Sequence, residues 1–217
     1  MTTALSDFYP EIELVVQDTP RPVIDYHLRR IIDDFLRRTW IYFSSLDETI
    51  LAPDGRVVTY NGVPVAYSNS MTTIEDQKDY ILTDPNGLVI IGIVKIEEDG
   101  YLTSKAYSYH SPTRKLMLQS NPQSGDVLDI VTALSCPLDN TAIYPAFLSD
   151  QYTRTLASGV IPRLLPPDDQ RIPYYLREYE RVVNRVKAEA QEVLYGQNGV
   201  TRGRVRTDLR VKTRRFV

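Results

Sequence analysis

An α+β protein is expected, with a helical bundle frame around an inserted antiparallel β-rich domain, and three observations predict it. A helix-period stripe opens the chain and two more close it, a stretch rich in Tyr, Val, Ile and Thr lies between them, and turn signals cut that stretch into short runs. Residues 1–40 are then an N-terminal segment and the first helix, 41–147 the inserted β-rich domain, 148–196 the C-terminal helices, and 197–217 an extended basic C-terminal arm.

The first sixteen residues form a lead-in. Leu5 opens a Ser-Asp turn, and Pro10 followed by alternating Ile12, Leu14 and Val16 predicts a short extended stretch. From about Pro20 the period changes. Ile24, Leu28, Ile31, Phe35 and Thr39 recur every three or four residues, Val23, Ile32, Leu36 and Trp40 widen the stripe, and Arg29, Arg30, Asp33, Arg37 and Arg38 fall mostly on the other face. Pro20 and Pro22 suit a lead-in or first turn, where a missing N–H costs nothing, with Thr19 as the expected cap.

In the middle of the chain the breakers are Pro53-Asp54-Gly55, Asn61-Gly62, Asp84 to Gly87, Asp99-Gly100, Ser111-Pro112 and Asn121-Pro122. Gly87 to Ile96, Lys115 to Leu118 and Val127 to Leu134 are the strand-like runs between them, dense in β-branched residues. Helical character resumes near Ser149. Asp150 to Leu165 fits one helix with Tyr152, Leu156, Val160 and Leu164 on a face, which Pro162 should bend or shorten. Pro166-Pro167-Asp168-Asp169 breaks the chain. The last helix runs from about Pro173 to Tyr195 on a face of Tyr175, Tyr179, Val182, Val186 and Val193, flanked by Leu176, Val183, Ala190 and Leu194, and Gly196 stops it.

The tail has a different period. Arg202, Arg204, Arg206, Asp208, Arg210, Lys212 and Arg214 occupy the even positions, and Gly203, Val205, Thr207, Leu209, Val211 and Thr213 the odd ones. Period two means an extended strand with one basic and one mildly apolar face, too little apolar area to offset its own ordering entropy. The last eighteen residues hold seven of the 25 basic and one of the 28 acidic residues, so a tail of +6 follows a body of -9. A solvated terminus, a strand ordered on a partner and a phosphate-binding arm all accommodate that charge. The alternating Val205, Leu209 and Val211 with terminal Phe216 favour the partner-bound strand, since an electrostatic arm needs no apolar face.

Chemistry is sparse. The 217 residues include one cysteine and two histidines, which excludes an intramolecular disulfide and leaves no set of soft ligands for zinc. No run approaches the roughly 18 apolar residues of a membrane span, and no basic leader precedes an apolar segment. The ten glycines are scattered at turns rather than gathered in a phosphate loop, and no Gly-x-Ser-x-Gly elbow occurs. Cys136 ends an apolar run before Pro137 and reads first as a core thiol, with a nucleophile served by His110 or His27 as the alternative. His27 is expected to be solvated or paired with Asp25 or Glu11, and His110 to belong to a turn-flanking aromatic cluster rather than a binding groove. Asp33-Asp34, Glu97-Glu98-Asp99 and Asp168-Asp169 are adjacent pairs that diverge on helix or strand, so solvated faces are expected. No catalytic set, metal ion or cofactor is expected.

The order of the pieces carries a resemblance. A proline-initiated helix ends in Arg37-Arg38-Thr39-Trp40, a β-rich middle follows, and a helix contains Leu156-Ala-Ser-Gly-Val-Ile-Pro-Arg-Leu-Leu165. A proline-rich break, a final helix with Tyr175 and Lys187-Ala-Glu-Ala190, and a basic end, Leu209-Arg-Val-Lys-Thr-Arg-Arg-Phe-Val217, complete it. Over nearly its whole length the chain resembles the head-to-tail connector (adaptor) proteins of tailed bacteriophages. The resemblance implies a structural virion protein at the tail neck, not an enzyme. It would be a homo-oligomeric ring, commonly of twelve, bound beneath the portal ring and receiving a downstream tail protein, nozzle or tube, on its other side. DNA would pass through the lumen as cargo, with no membrane involved. It implies a portal-binding arm made of Arg202, Arg204, Val205, Arg206, Leu209, Arg210, Val211, Lys212, Arg214, Arg215 and Phe216.

Three alternatives stand beside it. A tail-completion or tail-tube protein is close in kind. A nucleic-acid-binding protein would use the basic tail for phosphates and tyrosines for bases, against the acidic body. A hydrolase or sugar-binding module would centre on Tyr107, Tyr109 and His110, where no convergent nucleophile and base support it.

Overall fold

A computed structural model describes residues 2–43, 48–50, 57–60, 63–68, 78–81, 88–98, 101–102, 107–113, 115–118, 127–139 and 142–196. It is a mixed α+β fold in which every described strand pairing is antiparallel. At the N-terminus β1 (Thr2–Thr3) pairs with β11 (Tyr144–Pro145), and a 3-10 turn over Leu5–Phe8 runs into α1 (Tyr9–Glu13). The expected extended stretch is therefore helical. Phe8 and Ile12 lie four residues apart, one helical turn, and both are fully buried, whereas Leu14, which strict alternation would group with Ile12, is 75% exposed. Pro10 in the first turn has no N–H to satisfy.

Helix α2 (Arg21–Thr39) follows the predicted stripe: Ile24, Leu28, Ile31, Ile32, Phe35 and Leu36 are all buried. Full burial of each such side chain is worth about 1.5–3 kcal/mol, more than the roughly 1 kcal/mol of a typical cap. Pro20, not Thr19, occupies the capping position, and no side chain caps the helix; the fixed φ of Pro20 and of Pro22 in the first turn sets the chain for helix instead. Val23 is exposed, outside the stripe. Trp40 ends the helix in the left-handed region, φ 54°, its N–H donating to the Leu36 carbonyl at 2.9 Å. That conformation costs a non-glycine residue about 1–2 kcal/mol. Packing of the indole offsets it: a Cβ built on Gly92 would lie 2.7 Å from the Trp40 ring, so the ring lies directly against bare backbone.

The β-rich middle comprises β2 (Glu48–Ile50), β3 (Val57–Tyr60), β4 (Val63–Ser68), β5 (Lys78–Ile81), β6 (Val89–Glu98), β7 (Tyr101–Leu102), β8 (Tyr107–His110), β9 (Lys115–Leu118) and β10 (Val127–Ser135). They form two sheets, ordered β2-β10-β6-β7 and β3-β4-β5-β9-β8. The three predicted runs correspond to β6, β9 and β10, with β6 displaced two residues toward the C-terminus. Of the predicted breakers, Ser111-Pro112 lies in a 3-10 turn over Ser111–Thr113; the others are outside the described residues. The β6–β10 pair is the longest ladder, from Leu128↔Glu98 to Ser135↔Val89, with bulges at Val131/Thr132 and Ala133/Leu134. Both of its faces are covered. Ile90, Ile93, Ile96, Ile130 and Leu134 join the main core, while Val94, Val131 and Ala133 make a smaller cluster under Trp40 and Ile91.

Helix α3 (Phe147–Leu164) starts three residues before the predicted Asp150 and continues through Pro162, which sits in the last turn, where one lost hydrogen bond matters least. Leu148 and Tyr152 are buried opposite exposed Asp150, Gln151 and Arg154, and the six residues Leu156 to Ile161 are buried all round. Gly159 permits that: a Cβ there would stand 2.8 Å from Ile31 and 3.0 Å from Tyr179. Helix α4 (Ile172–Gly196) begins one residue before the predicted Pro173 and buries Tyr179, Val183, Val186 and Ala190, leaving Leu176 exposed. One continuous core joins α2, α3 and α4 with β6 and β10. No helix among the described residues is long and apolar enough to cross a membrane.

Candidate functional site

Helix α2 turns one face away from the core, and this face carries a pocket. Pro22, Asp25, Tyr26, Arg29 and Arg30 line an open groove of about 500 Å³, closed on its far side by Leu138 from the segment between β10 and β11. The spacing explains the assembly: residues 22, 26 and 30, and 25 and 29, are four apart and stack along a helix side. Tyr26 and Leu138 are each 52% exposed, large apolar groups left in water. The Arg30 guanidinium lies over the Tyr26 ring, 4.6 Å from its centroid, a cation–π contact.

Groups around the groove fix its walls. Tyr9 donates its hydroxyl to Asp25 at 2.7 Å, and burial together with that carboxylate pushes the phenol up to about 12. Arg21 lies over the Tyr9 ring at 5.1 Å and bonds Glu13 at 3.0 Å. Tyr144 is 4% exposed, and its hydroxyl finds no hydrogen-bond partner among the described residues. Burial pushes it, too, up to about 12, against a smaller opposing pull from Arg29.

The residues singled out from sequence fall as follows. Cys136 is buried, its Sγ donating to the Ile143 carbonyl at 3.6 Å, and desolvation aided by Asp33 raises the thiol to about 12. It is a protonated core group at neutral pH, not an activated nucleophile. His27 corrects an expectation: it packs edge-on against Tyr26, its Nδ1 is buried without a partner among the described residues, and Asp25 is taken by Tyr9. Burial, then the nearby Arg163 and Arg30, lowers its pKa, so the neutral ring is favoured. His110 meets Thr113 at 2.7 Å across the 3-10 turn, with Tyr107 and Tyr109 packed against the core.

Of the acidic pairs, Asp168 is exposed as expected, while Asp33, Asp34 and Asp169 have specific partners. Asp33 accepts from the Ser135 hydroxyl at 2.6 Å and from Arg37 at 2.8 Å; Asp34 accepts from the Tyr179 hydroxyl at 2.9 Å. These two carboxylates join α2 to β10 and to α4; the Asp33 side chain is largely covered, while that of Asp34 stays 42% exposed. Asp169 accepts from the Arg171 backbone and guanidinium, and those bonds hold its carboxyl down at about 2. Glu97 and Glu98 end β6; Asp99 lies outside the described residues. Among the described residues no group of His, Cys, Asp and Glu could hold a metal ion.

Arg202, Arg204, Val205, Arg206, Leu209, Arg210, Val211, Lys212, Arg214, Arg215 and Phe216 lie outside the described residues. The groove itself had no mark in the sequence beyond the four-residue spacing of Pro22, Tyr26 and Arg30, because Leu138 comes from far along the chain. Comparison with known proteins adds no relative: no family model matches the chain and no curated protein matches it.

Proposed function

We propose that the chain is the subunit of a head-to-tail connector of a tailed bacteriophage. A ring of copies sits beneath the portal, docks on it through residues 202–216, and passes DNA to a downstream tail protein through its lumen. In this reading α2, α3 and α4 are the bundle frame that stacks around the ring. The observation that carries it is the period-two basic tail, Arg202 to Arg214, with aromatic Phe216 beyond it, placed after a long amphipathic helix. An extended strand with unpaired N–H and C=O groups suits addition to a partner's sheet edge, and its basic side suits carboxylates there. The acidic remainder, at -9, suits a lumen along which DNA slides, since it offers few cations to replace phosphate counterions.

The test is mass by light scattering of the purified chain, alone and with its cognate portal ring, beside a truncation ending at Asn198. A portal-dependent ring that truncation abolishes is the expected result. Joint replacement of Arg210, Lys212, Arg214 and Arg215 by Ser should likewise abolish docking with the thermal melt unchanged. A monomer indifferent to the portal that binds DNA with a steep salt dependence would overturn the connector and leave a nucleic-acid-binding protein.

A further inference from the structure

We infer that the α2 groove is the receiving half of a contact between successive copies of this chain, and that the turn between α3 and α4 of the next copy, carrying Asp168, is what it receives. The inference rests on the ring reading above and names the surfaces that would build the ring.

The first support is charge left over on each side. Arg21 is committed to Glu13, while Arg30, over the Tyr26 ring and exposed, has no ion-pair partner among the described residues. On the turn, Asp169 is committed to Arg171, while Asp168, exposed beside exposed Pro166 and Pro167, has none. An exposed planar guanidinium is the natural donor to a carboxylate, in two parallel bonds.

The second support is matched apolar exposure. The groove offers Tyr26 and Leu138; the start of α4 offers Tyr174, 56% exposed and edge-on to Tyr175 at 5.3 Å. Aromatic groups with a cation on one surface and a proline-flanked acid on the other have the composition of an interface centre with a polar rim.

The third support is direction. Helix α4 meets α2 at Ile31, Asp34 and Arg38, and Arg163 at the end of α3 lies beside His27. At about 100° per residue those positions stand roughly 140° around α2 from the groove. Donor turn and receiving groove are thus on nearly opposite flanks of one helix and at the same end of it. Two different surfaces on opposite flanks make a head-to-tail contact, which closes into a ring when the rotation allows, whereas a two-fold dimer needs a single self-matching patch.

Charge reversal with rescue tests this. Arg30→Glu and Asp168→Arg are each expected to raise the concentration for half-assembly on the portal ring by about tenfold or more, because a like charge then faces its partner. The double variant Arg30→Glu/Asp168→Arg is expected to return to within a few-fold of the wild type, since every contact regains an opposite pair. Both positions are on the surface, and circular dichroism melts check that each variant folds; Arg30→Asp, which keeps the reversed charge, replaces Arg30→Glu if that variant melts early. Assembly of both single variants at the wild-type concentration would overturn the inference and leave the ring intact, as would failed rescue in the folded double variant. A wild type that stays monomeric with the portal present would overturn the connector reading, and this contact with it.

Discussion

The Arg38 guanidinium holds the Glu180 carboxylate in a two-pronged fork, 2.7 and 2.5 Å, tying the last turn of α2 to α4. Just beneath, Tyr179 donates to Asp34 from a side chain only 4% exposed. The two links differ in how much water they see. The fork is a third to a half exposed, so its Coulomb gain is screened, and Glu180→Gln should cost about 0.5–1 kcal/mol. Tyr179→Phe leaves a carboxylate short of a buried donor and should cost about 1.5–3 kcal/mol. Urea unfolding of both variants checks the order; an equal or larger loss for Glu180→Gln would show that the fork, not the phenol, holds the helix pair.

Two glycines stand where a methyl group does not fit. Gly159→Ala gains up to about 1 kcal/mol of helix propensity but drives a Cβ to 2.8 Å from Ile31, an overpacking cost of about 1–3 kcal/mol, so net destabilisation is expected. Gly92→Ala presses on the indole of Trp40, the sole tryptophan. Its fluorescence spectrum should shift in Gly92→Ala and stay as in the wild type in Gly159→Ala, which separates the two sites in one measurement alongside the melts.

Alkaline pH should unfold the protein through its phenols. Burial raises Tyr144, Tyr152 and Tyr179, and burial with Asp25 raises Tyr9, from an ordinary value of 10.0; Tyr9 and Tyr144 reach about 12. The unfolded chain ionises first, so the stability these neutral groups contribute is whole below pH 10 and falls as pH rises toward 12. Tyr144→Phe should soften that fall and, because it removes a buried hydroxyl without a partner among the described residues, should be neutral or stabilising at pH 7. A loss of more than about 1 kcal/mol at pH 7 would mean that the hydroxyl has a bonded neighbour.

How much of this was legible depends on how far apart the partners lie. Helix α2 was plain because its burial follows its own period, residue by residue. Helix α3 was harder at its start, since Phe147 and Leu148 precede the first charge, Asp150. The N-terminus misled because Ile12, Leu14 and Val16 satisfy a two-residue period while Phe8, Ile12 and Val16 satisfy a four-residue one, and only tertiary packing chooses. Asp33 and Asp34 looked like a solvated pair because Ser135 and Tyr179, their partners, lie more than a hundred residues away.

The sequence distance between α2 and the helices that cover it has a cost during synthesis. Ile24, Leu28, Ile31 and Phe35 leave the ribosome early, yet α3 begins just over a hundred residues after α2 ends. At roughly 5–20 residues per second, that apolar stripe waits about 5–20 seconds for its cover. Aggregation during translation, and the help of a chaperone that holds nascent chains, should therefore act first on this helix.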